Sequence, residues 1–361
     1  MPDVTPGPVA VDTMGGDHGP AAVVAGAVAA VRAEGVGLVL VGDGPTVQEL
    51  LEKHGAADEI PIAHAEDALA MHEGALASWR KPKSSIAICC RLIRRGQAAA
   101  MVSAGTTAGV VASARLRLRG QQGVMRPAIA VTLPTRPRPT VLLDAGATVD
   151  AKPEMLAQFA ALGTAYAQVA IGVELPRVGL LSIGVEPGKG SRVTRRAHEL
   201  LAATEAAMQM DFVGNIEGDD LLTGRADVIV TDGFTGNVAL KTMEGAVRLV
   251  VAEMRAVAMA TMAGRVGAML QRGRLREITQ RLDSETYGGG VLLGLNGTVV
   301  IAHGGSNARA ITSACVLARD LSAGDIVERI RERVAAARTH RFGRRTHGQE
   351  QQDTEPREPP G

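Results

Sequence analysis

ADVIVTDGFTGNVALKTMEG, residues 226–245, is the stretch whose reading decides the fold. Val228-Ile229-Val230 is a short β-branched apolar run of the length of one buried strand. It stops at Thr231-Asp232-Gly233, and Asn237 to Lys241 begins a helical pattern. A strand that turns directly into a helix places polar groups at the carboxyl edge of a sheet, where open α/β sheets bind ligands. Asp232 reads equally as the cap of that helix. The same construction recurs along the chain, which makes a largely parallel α/β sheet the expected fold.

Outward from this stretch, Val9-Ala10-Val11 leads into Asp12-Thr13-Met14-Gly15-Gly16-Asp17-His18-Gly19-Pro20 and an Ala-rich helix to Glu34. Paired glycines let a backbone approach a ligand closely, and a helix start offers free N–H groups to an anion. Asp12 and Asp17 would orient donors or cap rather than face phosphate. Ala98–Val102 followed by Ser103-Ala104-Gly105-Thr106-Thr107 repeats the arrangement with small hydroxyls. So do Asp144-Ala145-Gly146-Ala147 after Val141–Leu143, and Gly184–Ser191 after Val178–Ile183. Lys189 there is no Walker lysine, because Gly190 separates it from Ser191. Gly42-Asp43-Gly44 falls short of a dinucleotide fingerprint, since Val47 occupies its third glycine position. Asn296-Gly297 between two apolar runs predicts a hairpin. His303, Ser306 and Asn307 follow it at a further helix start.

Composition narrows the function. The 361 residues are 46% apolar with a net charge of +1, which gives no electrostatic case for nucleic-acid binding, and 2% aromatics supply few stacking platforms. Three cysteines at 89, 90 and 315 fit neither a disulfide framework nor a zinc site, and no metal or cofactor is expected. No signal peptide and no membrane span is read, so a cytoplasmic protein is expected. Residues 245–282, with Met243 just before them, carry Met254, Met259, Met262 and Met269 among arginines, read as two helices broken near Gly264–Gly267. That surface suits core packing, a dimer contact, lipid or an acidic carrier. Residues 339–361 are polar and Pro-ending and read as a disordered tail behind a single domain over 1–338.

VAVDTMGGDHGP, SAGTTAG, LLDAGATVDAKPE, GLLSIGVEPGKG, FVGNIEGDDLL, the 226–245 stretch, and YGGGVLLGLNG with IAHGGSNA run in one order from Val9 to Ala318. Together they resemble the PlsX family, the phosphate acyltransferases of bacterial phospholipid synthesis. The resemblance implies a three-layer α/β/α fold like that of the phosphotransacetylases and isopropylmalate dehydrogenases, and a homodimer. It implies transfer of a long acyl chain from acyl carrier protein to inorganic phosphate, without a cofactor. The acyl phosphate would pass to a membrane glycerol-3-phosphate acyltransferase, with peripheral contact at the inner membrane face through 245–282. Thr106 stands where the family usually has Asn, and the acidic stretch before Lys189 is reduced to Glu186 ahead of Pro187.

A thioester is already activated, so such a site needs to hold phosphate, align it and stabilise an oxyanion. Lys189, Asp232, Asn237 and His303 are the catalytic candidates. Asp12, Gly15, Gly16, Asp17, His18, Ser103, Gly105, Thr106, Asn215, Gly233, Ser306 and Asn307 are the candidates for phosphate and substrate binding. A small-acyl phosphotransacetylase, a dehydrogenase of the related fold and a membrane-surface scaffold are the rival readings.

Overall fold

The computed structural model describes residues 7–70, 73, 76–282 and 284–337. The expected tail lies outside the described residues. The chain begins β1 (Val9–Asp12), α1 (Gly19–Glu34), β2 (Leu38–Gly42), α2 (Gly44–Lys53), β3 (Ile62–His64), α3 (Ala77–Arg80), α4 (Ser85–Arg94), β4 (Ala100–Ser103) and α5 (Thr107–Leu118). It continues through β5 (Ala128–Leu133), β6 (Thr140–Leu143), α6 (Pro153–Tyr166), β7 (Arg177–Leu181), α7 (Arg192–Met208), β8 (Asp211–Ile216) and β9 (Val228–Val230). Then come α8 (Gly233–Ala260), α9 (Met262–Leu270), α10 (Arg272–Leu282), β10 (Gly290–Leu293), β11 (Thr298–Ile301), α11 (Ala308–Ala323) and a last helix, α12, over 326–337.

All the strands join one 11-stranded sheet in the order β3-β2-β1-β4-β11-β10-β5-β6-β9-β7-β8. Its strands read as continuous apolar runs because both faces are covered: every residue of β1, β4, β5, β6, β9 and β11 is buried. Helices on the two faces complete the α/β/α layering, with the core divided between the two sides of the sheet.

Direction is what positions the site. β10 is antiparallel to both β11 and β5, β5 is antiparallel to β6, and the remaining pairs are parallel. The β5–β6 hairpin, turned by the Pro134–Pro139 link, therefore reverses the second half of the sheet. The carboxyl ends of β1, β4 and β11 emerge at one end of the strands. Those of β6, β9, β7 and β8 emerge at the other.

The helical segment 245–282 differs from the expected pair broken at Gly264–Gly267. α8 runs through Gly245 for 28 residues. The first break is Thr261, extended at φ −126°, ψ 159°, whose Oγ1 accepts the Gly264 N–H and so caps α9. Gly264 sits inside that new first turn, where a Cβ would lie 2.6 Å from the Ala258 carbonyl oxygen. The second break is at Gln271. No helix among the described residues is long and apolar enough to cross a membrane.

Candidate active site

Three of the predicted loops meet at the carboxyl ends of β1, β4 and β11. Asp12, fully buried, accepts the Met14 N–H at 3.0 Å on Oδ1 and the Ser103 hydroxyl at 2.6 Å on Oδ2. Ser103 Oγ in turn accepts the Gly105 N–H at 3.1 Å. Burial pushes the Asp12 carboxyl above its ordinary value, and hydrogen bonds from Ser103, Ser85, Met14 and Gly15 hold part of that rise back. Gly15 lies so close to Gly105 that a Cβ would come 2.6 Å from its nitrogen, so glycine is what lets the two loops touch. The Asp17 N–H donates to the Gly304 carbonyl at 2.7 Å, and Gly16 packs on Ala104 and Gly304. Ser306 is 4% exposed and its Oγ has no hydrogen-bond partner among the described residues, while Asn307 caps α11 through Ala310. Asp17 and His18 face outward.

Thr106 ends this cluster as the cap of α5, its Oγ1 accepting the Gly109 N–H at 3.0 Å. The first helical residues, Thr107 and Ala108, open onto a cleft. An exposed helix start with its N–H groups and positive dipole end suits an anion. His303 lines the cleft too, and its Nδ1 accepts the Gly305 N–H at 3.2 Å. With Nδ1 as acceptor, the ring proton of a singly protonated imidazole lies on Nε2.

A different group occupies the other strand ends. Asp144, buried, accepts main-chain N–H groups from Ile129, Gly146, Ala147 and Thr148 at 2.6–3.1 Å, which fixes the 144–148 turn. α8 starts against that turn. Gly233 and Gly236 would each drive a Cβ into it, at 2.6 Å from Asp144 Oδ2 and 2.0 Å from Asp144 O. Asp232 caps α8, using Oδ1 for the Thr235 N–H and Oδ2 for the Thr235 hydroxyl, both at 2.8 Å. Asn237 Nδ2 donates to the Ala145 carbonyl at 3.3 Å, beside Gly146. Lys189 is exposed on the 182–191 loop, whose Glu186 carbonyl accepts from Asn215 Nδ2 at 2.8 Å, and Asn215 Oδ1 pairs with His198 Nδ1 at 3.0 Å.

The cleft joins the two ends. It has a volume of about 1390 Å³ and a mainly apolar lining. Ile129, Val131 and Leu133, alternate residues on one face of β5, form its floor. One face of α8, including Leu240, Met243, Val247 and Val251, forms its wall. The registers place its two ends. Val131 pairs with Gly290 and Gly290 with Ile301, which sets His303 level with Leu133. The Ala145 N–H reaches the Ile129 carbonyl and Thr148 Oγ1 the Pro127 carbonyl, which sets the 145–147 turn at the opposite end of β5. About five residues of strand separate these levels, roughly 17 Å. Lys241, Arg248 and Arg255 stand on the wall, with Glu244 paired to Lys241 at 2.9 Å.

The sequence-derived site thus divides. Asp12, Gly15, Gly16, Asp17, His18, Ser103, Gly105, Thr106, His303, Ser306 and Asn307 gather at one strand end. Asp232, Gly233 and Asn237 sit at the other, with Lys189 and Asn215 beyond them and outside the cleft. The expectation that Lys189 neutralises phosphate at the first set, with Asp232 and Asn237 around the adjoining acyl carbonyl, needs one shared site, whereas the strand reversal at β5–β6 sets these residues at the other strand ends. Sequence reading missed the cleft floor and the 145–147 end wall. Ile129, Val131 and Leu133 read in sequence as an ordinary buried strand face, and only the placement of α8 beside them shows the cleft they line.

Comparison with known proteins bears on the family and the fold. The family model described as "Fatty acid synthesis protein" matches residues 8–329. A "Phosphate acyltransferase" from Thermobifida fusca is 59% identical over 334 residues, 92% of this chain and 93% of that protein. One from Thermus thermophilus is 43% identical over 328 residues, covering 91% and 98%. Among solved structures, a phosphotransacetylase from Streptococcus pyogenes superposes with a TM-score of 0.59 at 20% identity, covering 87% of this chain and 94% of that one. The EutD phosphotransacetylase from Staphylococcus aureus gives 0.58 at 17% identity, covering 89% and 96%. These structural likenesses extend the shared three-layer fold, and the sequence matches span nearly the whole described chain. On that footing the chain belongs to the PlsX family of phosphate acyltransferases.

Proposed function

We propose that this protein transfers a long-chain acyl group from acyl carrier protein to inorganic phosphate, releasing acyl phosphate. The observation that carries the reading is the cleft itself: an apolar channel of strand length ending at a helix N-terminus beside a histidine. Phosphate sits at the start of α5, held by the N–H groups of Thr107 and Ala108 and the positive end of the helix. The acyl chain lies along Ile129, Val131 and Leu133 under α8, which leaves its thioester carbonyl at the His303 end.

A phosphate oxygen attacks the carbonyl carbon, forming the C–O bond and placing charge on the carbonyl oxygen. His303 Nε2–H is the donor we assign to that oxyanion. Collapse re-forms C=O, breaks the C–S bond and expels the carrier thiolate. The thiolate takes the proton of monohydrogen phosphate, so no enzyme nucleophile is consumed. Asp12 and Ser103 act as positioning residues, since they fix the loop from which α5 starts. We read Asp232 as the cap of α8 and Lys189 as a solvated loop cation.

The same reading includes a homodimer, with peripheral membrane contact through 245–282 and delivery of product to a membrane glycerol-3-phosphate acyltransferase. Support for it lies in the apolar residues that α8 and α9 expose away from the cleft, such as Leu249, Met262 and Leu270. The experiment is to incubate the protein with carrier-linked palmitate and phosphate and trap the product with hydroxylamine. Phosphate-dependent formation of palmitoyl hydroxamate is expected, and none in folded protein would remove the reading.

A further inference from the structure

The cleft has a measurable depth, and the 145–147 turn with Asn237 and Leu240 lines one end of it. We propose that the 145–147 turn, with Asn237 and Leu240, is the stop against which the acyl tail rests, so that the length of β5 sets an upper chain length near 16 carbons. This rests on the acyl-transfer reading above. The floor runs about 17 Å from the level of Leu133 and His303 to that of Ala145–Ala147. A C–C bond of about 1.5 Å in a zigzag chain advances about 1.25 Å per carbon. The floor alone therefore holds about 14 carbons, and the carboxyl end at His303 adds the rest.

α8 provides a graduated wall. It starts beside the 145–147 turn, where Asn237 touches Ala145 and Gly146, and presents Leu240, Met243, Val247 and Val251 to the cleft in that order. At about 1.5 Å per residue, 17 Å of helix carries it to Arg248, level with the mouth. Met243 then stands about 7 Å below that level and Leu240 about 12 Å below it, or about 6 and 10 carbons along the chain. Beyond Arg248, Val251, Arg255 and Met259 line the approach rather than the tail pocket. The end wall itself is built of small residues, Ala145, Gly146 and Ala147, so side chains added there shorten the channel directly.

The test is the chain-length profile of transfer, measured with acyl carrier protein loaded with saturated chains of about 8 to 18 carbons. Ala147→Leu is expected to lose the longest donors while keeping the shorter ones. Met243→Trp, nearer the mouth, is expected to lose the intermediate donors as well. Each methylene left without a place costs about fourfold in kcat/KM. Leu240→Ala acts in the opposite direction and raises use of the longest donor relative to the shorter ones. Val257→Trp, at a residue 73% exposed and outside the cleft, leaves the profile unchanged. A cut-off that moves in this order supports the ruler. Variants that are folded and active with the wild-type profile would overturn it while leaving acyl transfer in place. Absence of transfer from every donor by the wild-type protein would overturn both.

Discussion

Thr107→Pro isolates the anion seat. Thr107 is the first helical residue of α5 and lines the cleft. Proline is tolerated at that position because its missing N–H has no partner within the helix. The residue before a proline must be extended, and Thr106 already is, at φ −58°, ψ 133°. The substitution removes one N–H aimed at the proposed phosphate and leaves the Thr106 cap on Gly109 intact. A hydrogen bond to a charged acceptor contributes about 1.5–3 kcal/mol, so phosphate binding should weaken by about 10- to 150-fold. The assay is the KM for phosphate at saturating acyl donor, with thermal melting as the control for folding. The expected result is a large rise in phosphate KM, little change in KM for the donor and an unchanged melting temperature. An unchanged phosphate KM in a folded variant would refute the assignment of phosphate to the α5 start.

Other predictions follow from the same contacts. His303→Ala should lower kcat by about 100-fold or more, as loss of an oxyanion donor does, with a smaller loss for His303→Gln; matched rates would exclude the role. Ser103→Ala strips one donor from buried Asp12 and orphans the Gly105 N–H, at about 3 kcal/mol in urea denaturation, and its effect should be non-additive with Asp12→Asn. Lys189→Ala should leave kcat/KM within about threefold, and Asp232→Ala should cost about 1 kcal/mol of stability as a lost cap; a 100-fold kinetic loss in either would restore the sequence-based grouping. Asp227 gives a pH dependence. Burial pushes it up, but hydrogen bonds from the Arg177 main chain and guanidinium, with Arg138 nearby, outweigh that and hold it below 3.8. Its folded-state value is depressed, so its contribution is present above the unfolded value and is lost as pH falls through the folded one. Wild type should therefore lose stability as acidification runs from the unfolded value down through the folded one, and Asp227→Asn should flatten that part of the curve.

Local chemistry made much of this legible in advance. Buried β-branched runs, helix starts at small polar residues and the Asn296-Gly297 turn mark their elements because each depends on neighbours in sequence. Asp12, Ser103 and His303 meet because β1, β4 and β11 lie side by side and end together, an order that no local pattern carries. The separation of Asp232 and Lys189 was not legible either. It depends on β5 and β6 pairing antiparallel, and apolar strands of either direction carry the same pattern. The α8 break was missed because Gly264 reads as a helix breaker, while Thr261, a capping residue with no glycine beside it, does the work. The cleft floor was invisible for the same reason as the strand reversal. A buried alternating face looks the same in sequence whether a helix or a substrate covers it.

The most direct measurement compares three acyl donors in one phosphate-dependent assay: palmitoyl-carrier protein, palmitoyl-CoA and acetyl-CoA. A strand-length apolar cleft predicts acyl phosphate from the palmitoyl-carrier substrate and negligible turnover of acetyl-CoA, whose two-carbon group leaves the channel empty. Turnover of acetyl-CoA at a rate equal to or above that of the palmitoyl donors would contradict the account and place the protein's activity with the small-acyl phosphotransacetylases.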